Sequence, residues 1–169
     1  ERGKVTEDVF YTKGVERSSV TSLFTANVRY TEVVEDGFRG GNIVAADFVG
    51  TPEQLQGVRE NVAKSDWGGR IVAIDGSAAM VVATLQEKDP DTGERLNLQE
   101  VARKLEEIRK TTENKDVSVH IIGFAKAVGD IAAGAAGVIA FFGIAFVITA
   151  ALLRSEEHTS ELQSLAVIS

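Results

Sequence analysis

The chain has 169 residues, of which 44% are hydrophobic, with 18 basic and 25 acidic side chains and a formal net charge of −7. This balance argues against a nucleic-acid partner, because phosphate contacts need clustered Lys and Arg. Cysteine is absent, which excludes disulfides, thiolate nucleophiles and cysteine-based metal sites.

Residues 1–50 favour β-structure. Runs of β-branched and aromatic residues predict strands over 19–25 and 28–34. The glycine-rich segment 35–42 predicts a turn, and the apolar segment 42–48 predicts a further, weaker strand.

Two capping patterns mark helix starts. Thr51 is followed by Pro52 and then by Gln54 at the third helical position, which is a capping box with proline where its missing N–H costs nothing. Asn97 and Glu100 repeat the pattern. Apolar residues at helical spacing predict one helix over about 52–64, with a core face at Leu55, Val58 and Val62, and a second over about 98–112.

Two apolar runs, 70–74 and 78–85, are joined at Asp75-Gly76, which is a strong short-range signal for a tight hairpin. The apolar segment 117–124 predicts a last strand. The order after residue 42 is therefore strand, helix, strand, strand, helix, strand. This order predicts an α+β fold with a ferredoxin-like (split βαβ) arrangement over 42–124.

A long apolar run follows over 131–153, in which no residue is charged and Thr149 is the only polar one. A helix of this length is roughly 34 Å long, enough to cross a hydrocarbon core of about 30 Å. The alternative is a buried core helix, but core helices of small domains rarely run so far without a polar face. The run predicts a transmembrane helix.

Small residues recur at a spacing of four along this run, which lets another helix approach closely in lipid. The predicted helix-packing residues are Ala133, Ala136, Gly137, Ala140, Ala145 and Thr149. Two charged residues precede the run and are predicted to mark the membrane boundary. Asp130 is predicted to cap the helix there, in preference to a proton-handling role, and Lys126 to extend its ammonium to the headgroups.

Other candidates for chemistry have simpler structural interpretations. The segment 37–42 lacks the Lys-Ser/Thr of a phosphate-binding loop, and 89–94 fits a solvated turn better than a calcium loop. His120 has neither a nearby cysteine nor a second histidine and is expected to be partly buried. Trp67 is expected to anchor its loop by packing. We predict no catalytic, cofactor-binding or metal-ligating residue, and no enzymatic activity.

Several stretches of the sequence resemble one protein family: VTSLFT, VEDGF, TPEQLQGVRENV, DPDTGERL, LEEIRK and HIIGFAKAVGDIAAG. They are similar to transporters of the resistance–nodulation–division (RND) superfamily, in the hydrophobe/amphiphile efflux branch that includes MmpL-like predicted exporters. The resemblance covers roughly residues 15–153, and its most specific part is 120–134.

The resemblance implies a fragment of a larger exporter. Residues 1–41 would be the end of a preceding porter subdomain or a β-rich linker, and 42–124 a periplasmic porter subdomain. Residues 125–153 would be the second transmembrane helix with its periplasmic lead-in. The family's proton-carrying acidic residue lies in a later helix, so the resemblance assigns no relay residue here.

The implied function is export of hydrophobic or amphiphilic compounds, driven by the proton-motive force, across the bacterial inner membrane. Residues before the span would lie in the periplasm. The implied partners are the lipid bilayer, the remaining transmembrane helices and a hydrophobic or lipid-like substrate, and a homo-oligomer is left open. A different class of function also fits: a single-pass protein that presents a binding or sensing module outside the cytoplasm.

The last segment, 154–169, reads RSEEHTSELQSLAVIS. It resembles a translated sequencing adapter, with a variable index before its closing Ile-Ser. We expect this tail to be non-native, in preference to a genuine polar loop. The positive-inside rule therefore gives no orientation from Arg154.

Overall fold

The computed structural model describes the backbone of residues 3–166 and the side chains of residues 3–154. Within these residues the fold is mixed helix and strand, with a two-stranded antiparallel sheet, four α-helices and one short 3-10 turn. The elements in chain order are α1 (Lys4–Phe10), the 3-10 turn (Arg17–Ser19), β1 (Arg29–Val34), β2 (Gly37–Asn42), α2 (Pro52–Ala63), α3 (Leu98–Thr112) and α4 (Phe124–Ala166). The chain divides into two compact units between Ile121 and Ile122.

The sheet is a hairpin in which Arg29 pairs with Asn42 and Val34 pairs with Gly37. The prediction of β1 is confirmed, whereas the prediction of a turn throughout 35–42 is wrong, because only Glu35-Asp36 turns and the glycine-rich segment after it is β2. Glycine suits this strand because a Cβ at Gly41 would lie 3.2 Å from the Tyr30 ring.

The other predicted strands are not strands in the described part of the chain. They covered 19–25, 42–48, 70–74, 78–85 and 117–124. Only isolated bridges remain there, such as Thr21 with Val82 and Val72 with Ala79. Local turns interrupt the pairing: the Thr25 hydroxyl, for example, donates to the Ser22 carbonyl at 2.8 Å. The ferredoxin-like sheet is therefore not confirmed.

The reversal predicted at Asp75-Gly76 is present, although the strands beside it are not. Ala73 donates its backbone N–H to the Ala78 carbonyl at 2.9 Å. Gly76 adopts φ 71°, a left-handed conformation that glycine tolerates best. The Asp75 carboxylate accepts from the Ser77 amide at 3.0 Å and closes the turn.

Helix α2 confirms its predicted start. The Thr51 hydroxyl accepts from the Gln54 amide at 3.3 Å, and the Gln54 side chain accepts in return from the Thr51 amide at 3.4 Å. Gln54 also accepts from the amide of Val49 at 2.6 Å, so it orders the chain before the helix. Val58 and Val62 pack against the core as predicted, but Leu55 is 46% exposed and its predicted core position is wrong.

Helix α3 begins at the predicted cap. The Asn97 side chain accepts from the amides of Gln99 and Glu100 at 3.1 and 3.2 Å. The Glu100 carboxylate lies 4.0 Å from the Arg103 guanidinium rather than completing a reciprocal box. Helix α1, which packs against α3, was not predicted: this segment was expected to be β-leaning.

The core of the first unit lies between the hairpin and α2. Val28, Ile43, Val44 and Ile71 are buried together, and Trp67 packs against them as the predicted loop anchor. Trp67 is the only tryptophan of the chain, so its fluorescence reports the packing of this unit.

Replacement of Thr51 by alanine should lower the free energy of unfolding by about 1 kcal/mol, because the Gln54 amide loses its acceptor. The measurement is chemical denaturation of the full chain in detergent micelles, followed by Trp67 fluorescence. Thr51→Ser keeps the hydroxyl and should retain most of the stability. Equal losses in the two variants would contradict the capping role.

Candidate functional site

The most unusual surface of the molecule is the apolar part of α4. Phe124–Arg154 is 31 residues long, apolar enough to cross a membrane, and its most apolar stretch is unburied. Ile139, Phe141 and Phe146 are 72%, 70% and 75% exposed. Large uncovered apolar surfaces on a protein mark sites that contact lipid or another protein. This feature is compatible with membrane anchoring.

Two different faces run along α4, since residues spaced three, four and seven apart lie on one side of a helix. Ala133, Ala136, Gly137 and Ala140 have this spacing and form a face of small side chains. A Cβ added at Gly137 would meet no atom within 4 Å, so the small face is open. The helix thus offers a smooth side that a second helix can approach closely.

The opposite face carries large side chains. Phe124, Val128, Ile131, Val138 and Phe142 follow one another at spacings of three, four or seven residues along the same side. All but Val128 are more than half exposed. This face was not singled out from the sequence, although its periodicity can be read there.

Ala145 and Thr149 do not share the small face with the other four predicted packing residues. They lie three and seven residues after Phe142 and therefore on the large face. The Thr149 hydroxyl donates to the Ala145 carbonyl at 2.9 Å. This bond satisfies the one polar side chain of 131–153 within its own helix, as an apolar environment requires.

The predicted boundary residues form an ion pair. The Lys126 ammonium contacts the Asp130 carboxylate, one helical turn away, and the two lie in line with Ala133 and Gly137 above the small face. The predicted N-cap role of Asp130 is wrong, because α4 begins at Phe124 and Asp130 lies within its second turn. The charges thus compensate each other beside the apolar stretch.

The acidic loop at 89–94 has an internal cation. The Lys13 ammonium lies 2.8 Å from Asp89 and 2.9 Å from Asp91. The Asp89 carboxylate also accepts from the Asp91 amide at 2.8 Å. These contacts, Lys13 first, lower the pKa of Asp89, and in return the two acids raise the pKa of Lys13. The loop is a turn held by ion pairs and a hydrogen bond, in line with its interpretation from the sequence.

A pocket of about 320 Å³ lies beside this loop, lined in part by α3. Its cations are matched by acids: Lys104 lies 2.9 Å from Glu107, and Arg103 lies 4.0 Å from Glu100. Across the described residues, no three His, Cys, Asp or Glu side chains are placed to hold a metal ion. His120, expected to be partly buried, is exposed.

Comparison of the chain with protein-family models, with curated proteins and with solved structures gives no match. The apolar helix, with its two faces and its ion pair, is therefore the feature from which a function has to be inferred.

Replacement of Lys13 by methionine should raise the pKa of Asp89, because Lys13 is the main contact that lowers it. In the wild type this carboxylate stabilises the loop above its unfolded pKa, and the contribution is lost as the pH falls through the lower folded pKa. Carboxyl carbon NMR of the full chain during acid titration measures the change. Lys88→Met removes a neighbouring ammonium that forms no ion pair among the described residues. An equal shift in that control would contradict the specific contact.

Replacement of Phe142 by arginine should weaken membrane insertion of α4 by about 2.5–3.5 kcal/mol, the cost of an arginine at the centre of a membrane helix. The measurement is the inserted fraction of the full chain in microsomes, read from engineered glycosylation sites on either side of the helix. Phe142→Leu should insert like the wild type. Indifference to the arginine would mean that α4 does not enter the bilayer.

Proposed function

We propose that the chain is a segment of a proton-motive-force-driven exporter of RND type that moves hydrophobic or amphiphilic compounds. The observation that supports this proposal most is the exposed apolar helix Phe124–Arg154, which follows a compact unit in the chain. The first unit would form part of the periplasmic porter domain. Helix α4 would cross the inner membrane and couple the porter domain to the other membrane helices.

The two faces of α4 support a position inside a multi-helix bundle. A lone anchor needs only apolar length, whereas Ala133, Ala136, Gly137 and Ala140 form a smooth side that suits helix–helix packing in lipid. The large face, with Ile131, Val138 and Phe142, would face lipid. The ion pair of Lys126 and Asp130 continues the small face, which would direct the charges towards protein or water rather than towards acyl chains.

The ferredoxin-like arrangement belongs to this proposal for 42–124. Its support is the order of α2, the reversal at Asp75-Gly76 and α3. In a porter subdomain the short bridges of this unit would extend into a full sheet. The periplasmic location of the first unit and the inner-membrane location of α4 rest on the sequence resemblance to RND transporters.

The second candidate is a single-pass protein with a binding or sensing module, and the single candidate span among the described residues favours it. The source locus separates the two. The exporter requires further membrane helices encoded both before residue 1 and after residue 153. A start codon close to residue 1 with a stop close to 153 would instead support the single-pass protein.

Replacement of both Ala136 and Ala140 by leucine in the full-length exporter should reduce export strongly, because each leucine adds a branched apolar side chain to the small face and holds the neighbouring helix away. The measurement is efflux of a fluorescent amphiphile from cells with matched expression. Ala135→Leu makes one such replacement on the large face and should leave efflux close to wild type, whereas Ala136→Leu alone, which adds the same bulk on the small face, should reduce it. Normal efflux in the double variant would contradict packing through the small face.

A further inference from the structure

The apolar helix is longer than a bilayer is thick. Phe124–Arg154 contains 31 residues, which is roughly 46 Å at about 1.5 Å per residue. The hydrocarbon core measures about 30 Å, and the bilayer with its headgroups about 40–45 Å. Because 131–153 already fills the core, the first two turns of α4 must lie beyond it.

These two turns are long enough to cross the headgroup layer, and their charges balance. From Phe124 to Ile131 the helix rises about 10 Å, against a headgroup layer of about 5–8 Å on each side. Lys126 and Asp130 neutralise each other within this segment, so its charges are tolerated at the depth where polar headgroups begin.

Two large apolar side chains stand at the outer end of the same segment. Ile122 is 84% exposed and Phe124 is 74% exposed. Phe124 belongs to the same face as Val128 and Ile131, so the large face continues without a break beyond the hydrocarbon core. Apolar and aromatic side chains at this level gain free energy by entering the interface.

We propose that residues 122–130 are an interfacial anchor, in which Ile122 and Phe124 insert into the phospholipid headgroup layer and fix the depth of α4. The occupant of this surface is the bilayer, because the surface is continuous with the proposed lipid-facing side of the span. The inference rests on the proposed membrane function. The anchor would set how deep α4 lies in the bilayer, which the ion pair of Lys126 and Asp130 alone does not define.

The test uses the full chain reconstituted in phosphatidylcholine vesicles. The chain has no cysteine, so a single Ala127→Cys or Phe142→Cys variant can be labelled with the fluorophore NBD without removing native thiols. The vesicles carry a nitroxide either on the headgroup or near the end of the acyl chain. Headgroup nitroxide should quench the label at position 127 at least about twofold more than acyl-chain nitroxide, and the order should reverse at position 142.

Removal of the anchor should change the depth of the label at position 127. Ile122→Ser combined with Phe124→Ser should reduce headgroup quenching there by about half. The matched control is Ile74→Ser, which removes an exposed isoleucine, 94% accessible against 84% for Ile122, from the first unit. The control should leave the quenching unchanged, and Trp67 emission checks that each variant is folded.

The outcomes separate the anchor from the membrane proposal. Deep quenching at position 142 with no quenching at position 127 would overturn the anchor and leave the span intact. Unchanged headgroup quenching in the double serine variant would overturn the role of Ile122 and Phe124. Absence of quenching at both positions would overturn the membrane proposal itself.

Discussion

The side chains of α4 between residues 131 and 153 need an apolar environment, because full burial of a Phe, Leu or Ile side chain is worth about 1.5–3 kcal/mol relative to exposure. The helix supplies its own backbone hydrogen bonds and also satisfies the Thr149 hydroxyl, through the Ala145 carbonyl. No unsatisfied backbone group or side-chain hydroxyl of this stretch therefore opposes its transfer into lipid. The roles proposed for the boundary charges, the two faces and the anchor all depend on this need for an apolar environment.

Helices α2 and α3 of the first unit could be predicted from the sequence because their signals are local. Thr51, Gln54 and Asn97 act within a few residues of their own positions, and each forms a predicted capping bond. Strand pairing depends on distant partners, so β-branched runs alone do not specify it. The glycine-rich β2 shows the converse, since the Tyr30 ring on the neighbouring strand lies where a side chain at Gly41 would be.

The candidate site was predicted in composition but not in geometry. Spacing of four identifies pairs such as Ala145 and Thr149, but the side of the helix that a pair occupies depends on its distance from the other pairs. This pair lies on the side away from Ala133 and Gly137. The last charge before the apolar run does not mark the start of the helix, because α4 begins six residues earlier, at Phe124. A charge pair spaced one turn apart can lie inside a helix, as Lys126 and Asp130 do.

The location of α4 is the central claim, and flotation of the expressed chain through a density gradient after alkaline extraction tests it most directly. Integral segments stay with lipid under these conditions, whereas peripheral proteins are released. The account predicts that the full chain floats with the membranes and needs detergent to leave them. Recovery of the chain as a detergent-free soluble monomer, with 131–153 protected from proteases, would contradict it.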